Sequence, residues 1–535
     1  MALPGKFATV GLATLGSRAA GFLRDALIAA LLGAGPIADA VLAAFLLPNL
    51  ARRVLSEGAF NAAFIPVFAR REAKGGPESA AAFLGGVLKA MLLIGVPTTL
   101  AGLAFMPELL GLIVGGFRQT PEKFADAVHY ARIAFPYVAV ILLAALFAGT
   151  LNALRRYRAV ALAPILFNLV LVAALGALLL WPAGGARDIG TAIVAMVLAA
   201  GLLQLGFILW VTLRQRAALD WPAVRHGSWR DPDVRRFLLV VGPGIALAGA
   251  GHLNMLLAVH LASSVPASVS WLYYADRLFQ LPLGLAATAI GIVMLPDIAR
   301  HMHRGETAAV RASFAGALEF GLAVAVPAGV ALALLAEPIV TVLYHHGAFT
   351  AGDGLATAAM LRPLALALPA FVLVKVALPQ FLVHERFRWP LVAAGLGLAG
   401  NVAASRLLSE AGYLAAPAWG VAAAAWLNAA MLWALLFRAG GAALAEGAAA
   451  RLGRVALACL ATAAVTWGAS LVLAAGFAAT EAFAARALLL ALACLAGLAA
   501  QGLALAGLGV LDINALRASF ARRHGADIPS GEKPR

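Results

Sequence analysis

The feature that most restricts this chain is a succession of apolar stretches, each long enough to cross a bilayer, separated by short and mostly basic loops. A spanning helix needs about 20 predominantly apolar residues, and about fourteen such segments are present. They cover 8–33, 37–69, 79–106, 128–154, 159–181, 189–213, 236–262, 268–299, 312–335, 354–384, 389–408, 416–437, 453–475 and 484–510. Lipid offers no hydrogen bonds, so each segment must satisfy its own backbone, and a helix is the only single-segment solution. The expected fold class is therefore an all-α polytopic membrane protein. Only 12% of the residues are charged and 63% are apolar, which rules out an ordinary water-soluble globule. The first segment runs on from Phe7 through Arg18 and Arg24 without a small-residue cleavage site, so it reads as a retained first span. Several segments exceed the bilayer thickness, and broken or tilted helices are expected at Pro48, Pro136, Pro282 and Pro369.

A net charge of +15 would point to nucleic acid in a soluble protein. Here the basic residues sit in loops. Arg70, Arg71 and Lys74, then Arg155, Arg156 and Arg158, then the run from Arg214 to Arg236 fall on one side, as do Arg386, Arg388, Arg438 and the tail arginines. The other side keeps Arg118, Lys123, Arg187 and Arg486. This bias, roughly sixfold, places both termini in the cytoplasm. No nucleic-acid partner is expected.

The chain repeats itself at an offset of roughly 230 residues, as transporters built from duplicated bundles do. Gly95-Val96-Pro97 recurs as Ala325-Val326-Pro327, Arg156-Tyr157-Arg158 as Arg386-Phe387-Arg388, and Asn168 is echoed by Asn401. This divides the chain into a six-helix lobe at 1–222, a second at 223–440, an added helix pair at 441–511 and a basic tail at 512–535. Trp221 and Trp229, among the basic residues of 214–236, read as an interfacial stretch.

Charged residues inside a span normally face a cavity or each other, because each costs about 2.5 to 3.5 kcal/mol at a helix centre. Segment one carries Ser17, Arg18, Arg24 and Asp25, and segment two carries Asp39, Asn49, Arg52, Arg53 and Glu57. Segment eight adds Asp276 and Arg277, and segment ten Lys375. Pairing alone would be a poor stabilising device, and the cations outnumber the acids. Surplus arginine suits an anion, above all a phosphate, which the planar guanidinium grips through paired hydrogen bonds. Enzyme readings find little material. Cys459 and Cys494 lie in apolar runs, His252 and His260 have no carboxylates to complete a metal set, and no GxxxxGK[ST] phosphate loop occurs. Asp231-Pro232-Asp233 precedes a helix, where acids are expected in any case.

The stretch GSRAAGFLRDALIAALLGAGPIADAVLAAFLLPNLARRVLSEGAFNAAFIPVF resembles the N-terminal signature of the MurJ (MviN) lipid II flippases, within the multidrug/oligosaccharidyl-lipid/polysaccharide exporters. YYADRLFQLPLGLAATAIGIVMLPDIAR, HHGAFT and LVKVALP resemble the same family. The resemblance implies a bacterial inner-membrane flippase of peptidoglycan synthesis and cell shape. Its substrate would be lipid II, the undecaprenyl-pyrophosphate-linked precursor, moved to the periplasmic leaflet by alternating access. It also implies contact with membrane lipids and with cell-wall synthesis proteins. The family's cavity arginines match Arg18, Arg24, Arg52 and Arg277, with Ser17, Asn49 and Lys375 in the same cavity. Asp25, Asp39, Glu57 and Asp276 match acids that orient arginines or close a gate. The added helix pair matches the groove for the lipid tail. Family members that bind sodium use acids in segments seven and eleven. Segment seven here has no Asp or Glu and segment eleven offers Asn401, so sodium coupling is not expected and no cofactor or metal is implied. The alternatives on the same fold are a flippase for another lipid-linked oligosaccharide or a drug/cation antiporter.

Overall fold

A computed structural model describes residues 3–56, 59–181, 184–215, 219–250, 252–289, 306–383, 388–438 and 445–511, together with 300, 301, 304 and 386. Glu57 and the tail 512–535 lie outside the described residues. Among the described residues every regular element is helical, and ten helices are long and apolar enough to cross a membrane. The fourteen segments do not map one to one, because several are broken or fused.

Segment one is α1 (Leu3–Leu32). Segment two is three pieces: α2 (Pro36–Ala44), α3 (Leu46–Ser56) and the start of α4 (Ala59–Ala104). Segments two and three meet within α4, which bends at Gly75 and Gly76, the latter at φ 67°. There follow α5 (Met106–Ile113), a 3-10 turn (Gly115–Gln119), α6 (Pro121–Ala134), α7 (Tyr137–Ala153), α8 (Tyr157–Leu180), α9 (Ala186–Leu213) and the short α10 (Trp221–His226). The second half holds α11 (Pro232–Ala250), α12 (Leu253–Ala262), α13 (Ser268–Ala289), α14 (Thr307–Leu334), α15 (Ala336–Tyr344), α16 (Ala351–Val383), α17 (Arg388–Glu410) and α18 (Ala416–Arg438). The added pair is α19 (Ala448–Ala479) and α20 (Phe483–Gly507).

The proline expectations divide. The chain breaks at Phe135-Pro136, between α6 and α7, and just before Pro48, at Phe45. Pro282 and Pro369 instead lie inside unbroken helices. Proline leaves one carbonyl four residues back without its helical donor, and membrane helices tolerate this when neighbours pack closely. For Pro369 that carbonyl belongs to Ala365. Gly329 of α14 lies against it, so closely that a Cβ there would sit 2.6 Å from the oxygen.

The residues form two compact units. Unit one comprises 1–277, 343–360 and 398–421; unit two comprises 278–342, 361–397 and 422–535. In unit one, Phe60, Phe64, Phe68 and Phe83 of α4 stack among themselves and meet Phe237 of α11 edge-on. Leu219, Val224 and Val234 join the same core. The stretch around Trp221 is therefore docked on α4. A Cβ on Gly85 would lie 1.9 Å from the Val224 carbonyl oxygen, so the backbones touch. Lys89 donates to the carbonyls of Arg225 and Gly227 at 2.7 and 2.8 Å. Arg71 pairs with both Asp231 and Asp233, and Arg70 with Asp233. Burial pushes the Asp233 carboxyl upward, but the hydrogen bonds and charges of Arg71 and Arg70 outweigh it and hold the group below the usual carboxylate range. These partners give the two acids of Asp231-Pro232-Asp233 a structural task.

In unit two, Gln501 of α20 ties three helices together. Its carbonyl accepts from Thr462 at 2.6 Å and its amide donates to the Ala323 carbonyl at 3.0 Å. Leucines such as Leu180, Leu239, Leu498 and Leu503 are exposed, as a lipid-facing surface requires.

Candidate functional site

The centre of the site in unit one is a single carboxylate. Asp25 is 2% exposed and holds two arginines. Arg24 donates to Oδ1 from Nε at 2.9 Å and from Nη2 at 2.7 Å. Arg277 brings Nε to 2.7 Å of Oδ2, an ion pair by distance whose N–H does not point along the hydrogen-bond direction. Two neutral groups complete the arrangement. The Tyr273 hydroxyl accepts from Arg277 Nη2 at 2.7 Å and donates to Asp25 Oδ1 at 3.3 Å, and the Asn168 carbonyl accepts from Arg24 Nη1 at 3.3 Å. Asn168 in turn donates to Ser17, to the backbone oxygen at 3.2 Å and the hydroxyl at 3.4 Å. Arg24, Asp25, Asn49, Arg52, Tyr137 and Tyr273 line one small cavity.

Charge decides what such a cavity accepts. Among the described residues Arg52 and Arg18 have no carboxylate partner, whereas Arg53 meets Asp276 at 3.5 Å. Arg24 and Arg277 thus share one carboxylate, Asp25, and Arg52 lines the same cavity with none of its own, in surroundings where Coulomb terms are several times stronger than in water. The N–H groups of Arg24 and Arg277 not used on Asp25, Asn168 and Tyr273 remain for a ligand. Together they suit an oxyanion.

A second cluster in unit one joins the turn after α1 to residues 263–274 and 344–353. Asp39 is 0% exposed. It accepts from Lys123 at 2.5 Å, from the Ala267 and Ser270 backbone N–H groups at 3.0 and 2.8 Å, and from the Ser270 hydroxyl at 2.6 Å. Asp39 is among the acids expected to orient arginines or close a gate; its charged partner here is Lys123, because α2 packs on α6. Around it, Tyr274 donates to the Gly33 carbonyl at 3.1 Å, Ala348 N–H to the Ala30 carbonyl at 2.8 Å, and Gly116 N–H to the Ser263 hydroxyl at 2.9 Å. Gly33 and Gly347 adopt φ of 62° and 60°, and a Cβ on either would fall within 2.4 Å of a carbonyl oxygen across the contact. HHGAFT is thereby explained as a close-packed plug.

Of the sequence candidates, Ser17, Arg24, Asn49, Arg52, Asp25 and Arg277 come together, with Asp276 on neighbouring Arg53. Lys375 belongs to unit two, where its side chain is exposed. The sequence reading missed Tyr273, Asn168, Lys123 and Ser270 as site residues. Tyr273 lies within the YYADR motif, four residues before Arg277 and so one helical turn away on the same face. Lys123 was counted as an outer-loop charge.

Segments seven and eleven meet through their amides. Asn401 donates to the Asn254 side-chain and backbone oxygens at 2.5 and 3.1 Å, and Ser405 donates to the Asn401 carbonyl at 3.0 Å. The donors and acceptors satisfy each other without a carboxylate, and Gly420 packs so closely that a Cβ would lie 2.0 Å from Ser405 Oγ.

The fold matches solved transporters. One, described as lipid II flippase MurJ in an inward closed conformation, superposes with a TM-score of 0.74 over 93% of this chain and 99% of that one, at 21% identity. An inward-facing MATE multidrug resistance transporter of the MOP superfamily matches with a TM-score of 0.65 over 79% and 95%, at 16% identity. The fold is thus that of polytopic membrane proteins of this kind. A profile of the lipid II flippase MurJ family matches residues 28–504, and a probable lipid II flippase MurJ of Rhizobium meliloti (strain 1021) is 40% identical over 407 residues, 75% of this chain and 74% of that protein. The chain belongs to the lipid II flippase MurJ family.

Proposed function

We propose that this chain flips lipid II from the cytoplasmic to the periplasmic leaflet of the bacterial inner membrane by alternating access, with both termini in the cytoplasm. The observation that carries the reading is the cavity lined by Arg24, Arg52 and Asp25, with Arg277 paired to the same Asp25 carboxylate. The lipid II pyrophosphate supplies the missing negative charge. Arg24 and Arg277 grip it through N–H groups that Asp25 leaves free, Arg52 and Arg18 add attraction, and Ser17 and Asn49 offer neutral contacts. Lys375 is assigned to the substrate as a further cation and Glu57 to the acids that orient arginines.

Asp39, with Lys123, Ala267 and Ser270, closes the periplasmic side in this state, and Asp25 and Asp276 hold arginines ready. The polyprenyl tail is assigned to unit two, where Val330, Leu334, Leu366, Ala463, Ala464 and Trp467 line an apolar groove. No sodium step is assigned, and the membrane potential acts directly on the charge that moves.

Arg24→Ala should abolish lipid II translocation in a depletion strain while folded protein remains in the membrane, and lipid II should accumulate on the cytoplasmic leaflet. Full complementation by that variant overturns the proposal. A drug/cation antiporter would present acids to its cargo, and the arginine surplus favours the anion.

A further inference from the structure

The neutral groups around Asp25 hold each arginine in place without cancelling its charge. We propose that Asn168 and Tyr273 are positioning residues that make the site prefer a two-phosphate anion over a one-phosphate anion, an inference that rests on the lipid II reading above.

Asn168 is fixed on both ends. Its amide nitrogen has three acceptors, the Ser17 backbone and hydroxyl oxygens and the Pro164 carbonyl at 3.0 Å, so its carbonyl is the end presented to Arg24. Gly21 lies beside the amide, where a Cβ would make ordinary van der Waals contact at 3.6 Å. Tyr273 is fixed by its ring, which packs edge-on against Tyr274 and carries the Arg277 guanidinium 4.8 Å from its centroid. Its hydroxyl takes one N–H from Arg277 and turns its own proton to Asp25.

The result is one guanidinium locked on Oδ1 and the other on Oδ2 of the same carboxylate. Two fixed, adjacent forks match two linked phosphates, because each can bind one phosphate without moving. A carboxylate in place of either neutral group would hold the arginine equally well and remove a unit of the attraction the ligand needs. If Asn168 or the Tyr273 hydroxyl is lost, one guanidinium turns freely. A single phosphate still binds to the fixed fork, while the second phosphate of a pyrophosphate must pay to order the loose one.

The test uses the full chain in proteoliposomes and two probes: lipid II, and the same disaccharide pentapeptide linked to undecaprenol through one phosphate. For the unmodified chain the apparent KM for the pyrophosphate lipid should be lower by about tenfold, equivalent to one charge-assisted hydrogen bond. Asn168→Ala and Tyr273→Phe should each compress the ratio to about two- to threefold by raising KM for the pyrophosphate lipid alone. Tyr273→Phe keeps the ring and guards against a folding artefact at Asn168. If the unmodified chain discriminates but both variants lower only the maximal rate, the ratio standing, the positioning role is wrong and the lipid II reading survives. If the unmodified chain moves lipid II without discriminating, the inference is wrong. If it moves neither lipid, the lipid II reading itself fails.

Discussion

Lys123→Met is the most direct test of the closed side. Lys123 is 7% exposed and Asp39 0%, with their charges 2.5 Å apart. Removing one member of a buried pair leaves the other charge uncompensated, at a cost of about 3–5 kcal/mol. The stranded carboxylate still accepts from Ala267 N–H, Ser270 N–H and the Ser270 hydroxyl. These bonds put the expected loss at the low end, about 3 kcal/mol. In the proposed closure these contacts belong to the closed state, so the loss falls on that state and shifts the equilibrium toward opening by about 150-fold. The assay is the labelling rate of a cysteine placed at Ala38, buried at 0% exposure, by a membrane-impermeant maleimide added from outside. Labelling should rise by one to two orders of magnitude in Lys123→Met and fall back toward the parent in Asp39→Asn/Lys123→Met, where neither charge remains. Equal labelling in the parent and in Lys123→Met would refute the assignment of Asp39–Lys123 to the closure. A double variant as open as the single one would refute the charge argument and leave only a packing defect.

Two further outcomes concern the docked linker. Gly85→Ala places a methyl 1.9 Å from the Val224 carbonyl oxygen, backbone against backbone, so α10 must lift away; thermal unfolding should show a loss of about 1–3 kcal/mol, and an unchanged midpoint would contradict the close approach. The Asp233 carboxyl is held below its usual range by Arg71 and Arg70, so its contribution is full above about pH 4 and is lost as the pH falls through its lowered folded value. Hydrogen exchange of residues 221–237 should accelerate in that acid limb for the parent and already be fast at neutral pH in Asp233→Asn, and coincident profiles would dismiss the linkage.

Segment number and site chemistry were unequally legible. Apolar length showed that α8 and α9 span, because one helix fills each run. It did not show the break inside 37–69 at Phe45, or that segments two and three join in one helix bent at Gly75-Gly76, since both depend on packing rather than on local hydropathy. Arg24, Asp25 and Arg277 were readable because charge inside an apolar run is costly and so conspicuous. Asn168 and Tyr273 were not, because an amide or a phenol inside a span costs little and has many bland uses. Lys123 was misplaced because a lysine near a loop is ordinarily solvated; only the fold shows it folded back under the Phe117 ring, 3.9 Å from its centroid, onto Asp39.

One helix connects the closure to the cation site. The first part of α13 offers Ser270 to Asp39, Trp271 to Asp353 at 3.0 Å, Tyr273 and Arg277 to Asp25, and Asp276 to Arg53. From Ser270 to Arg277 is about 10 Å along the axis, under two turns, with no proline between them. A rigid segment that short cannot release Asp39 and keep Arg277 on Asp25 at once. A phosphate on the Arg277 N–H groups that Asp25 leaves free adds a second anion to the same guanidinium and so weakens its hold on Asp25, one of the contacts that keep α13 in place. The ligand thereby gains a differential hold on the two states, which is what a population shift requires. An anion that left Arg277 untouched would lack that hold and would not bias the closure.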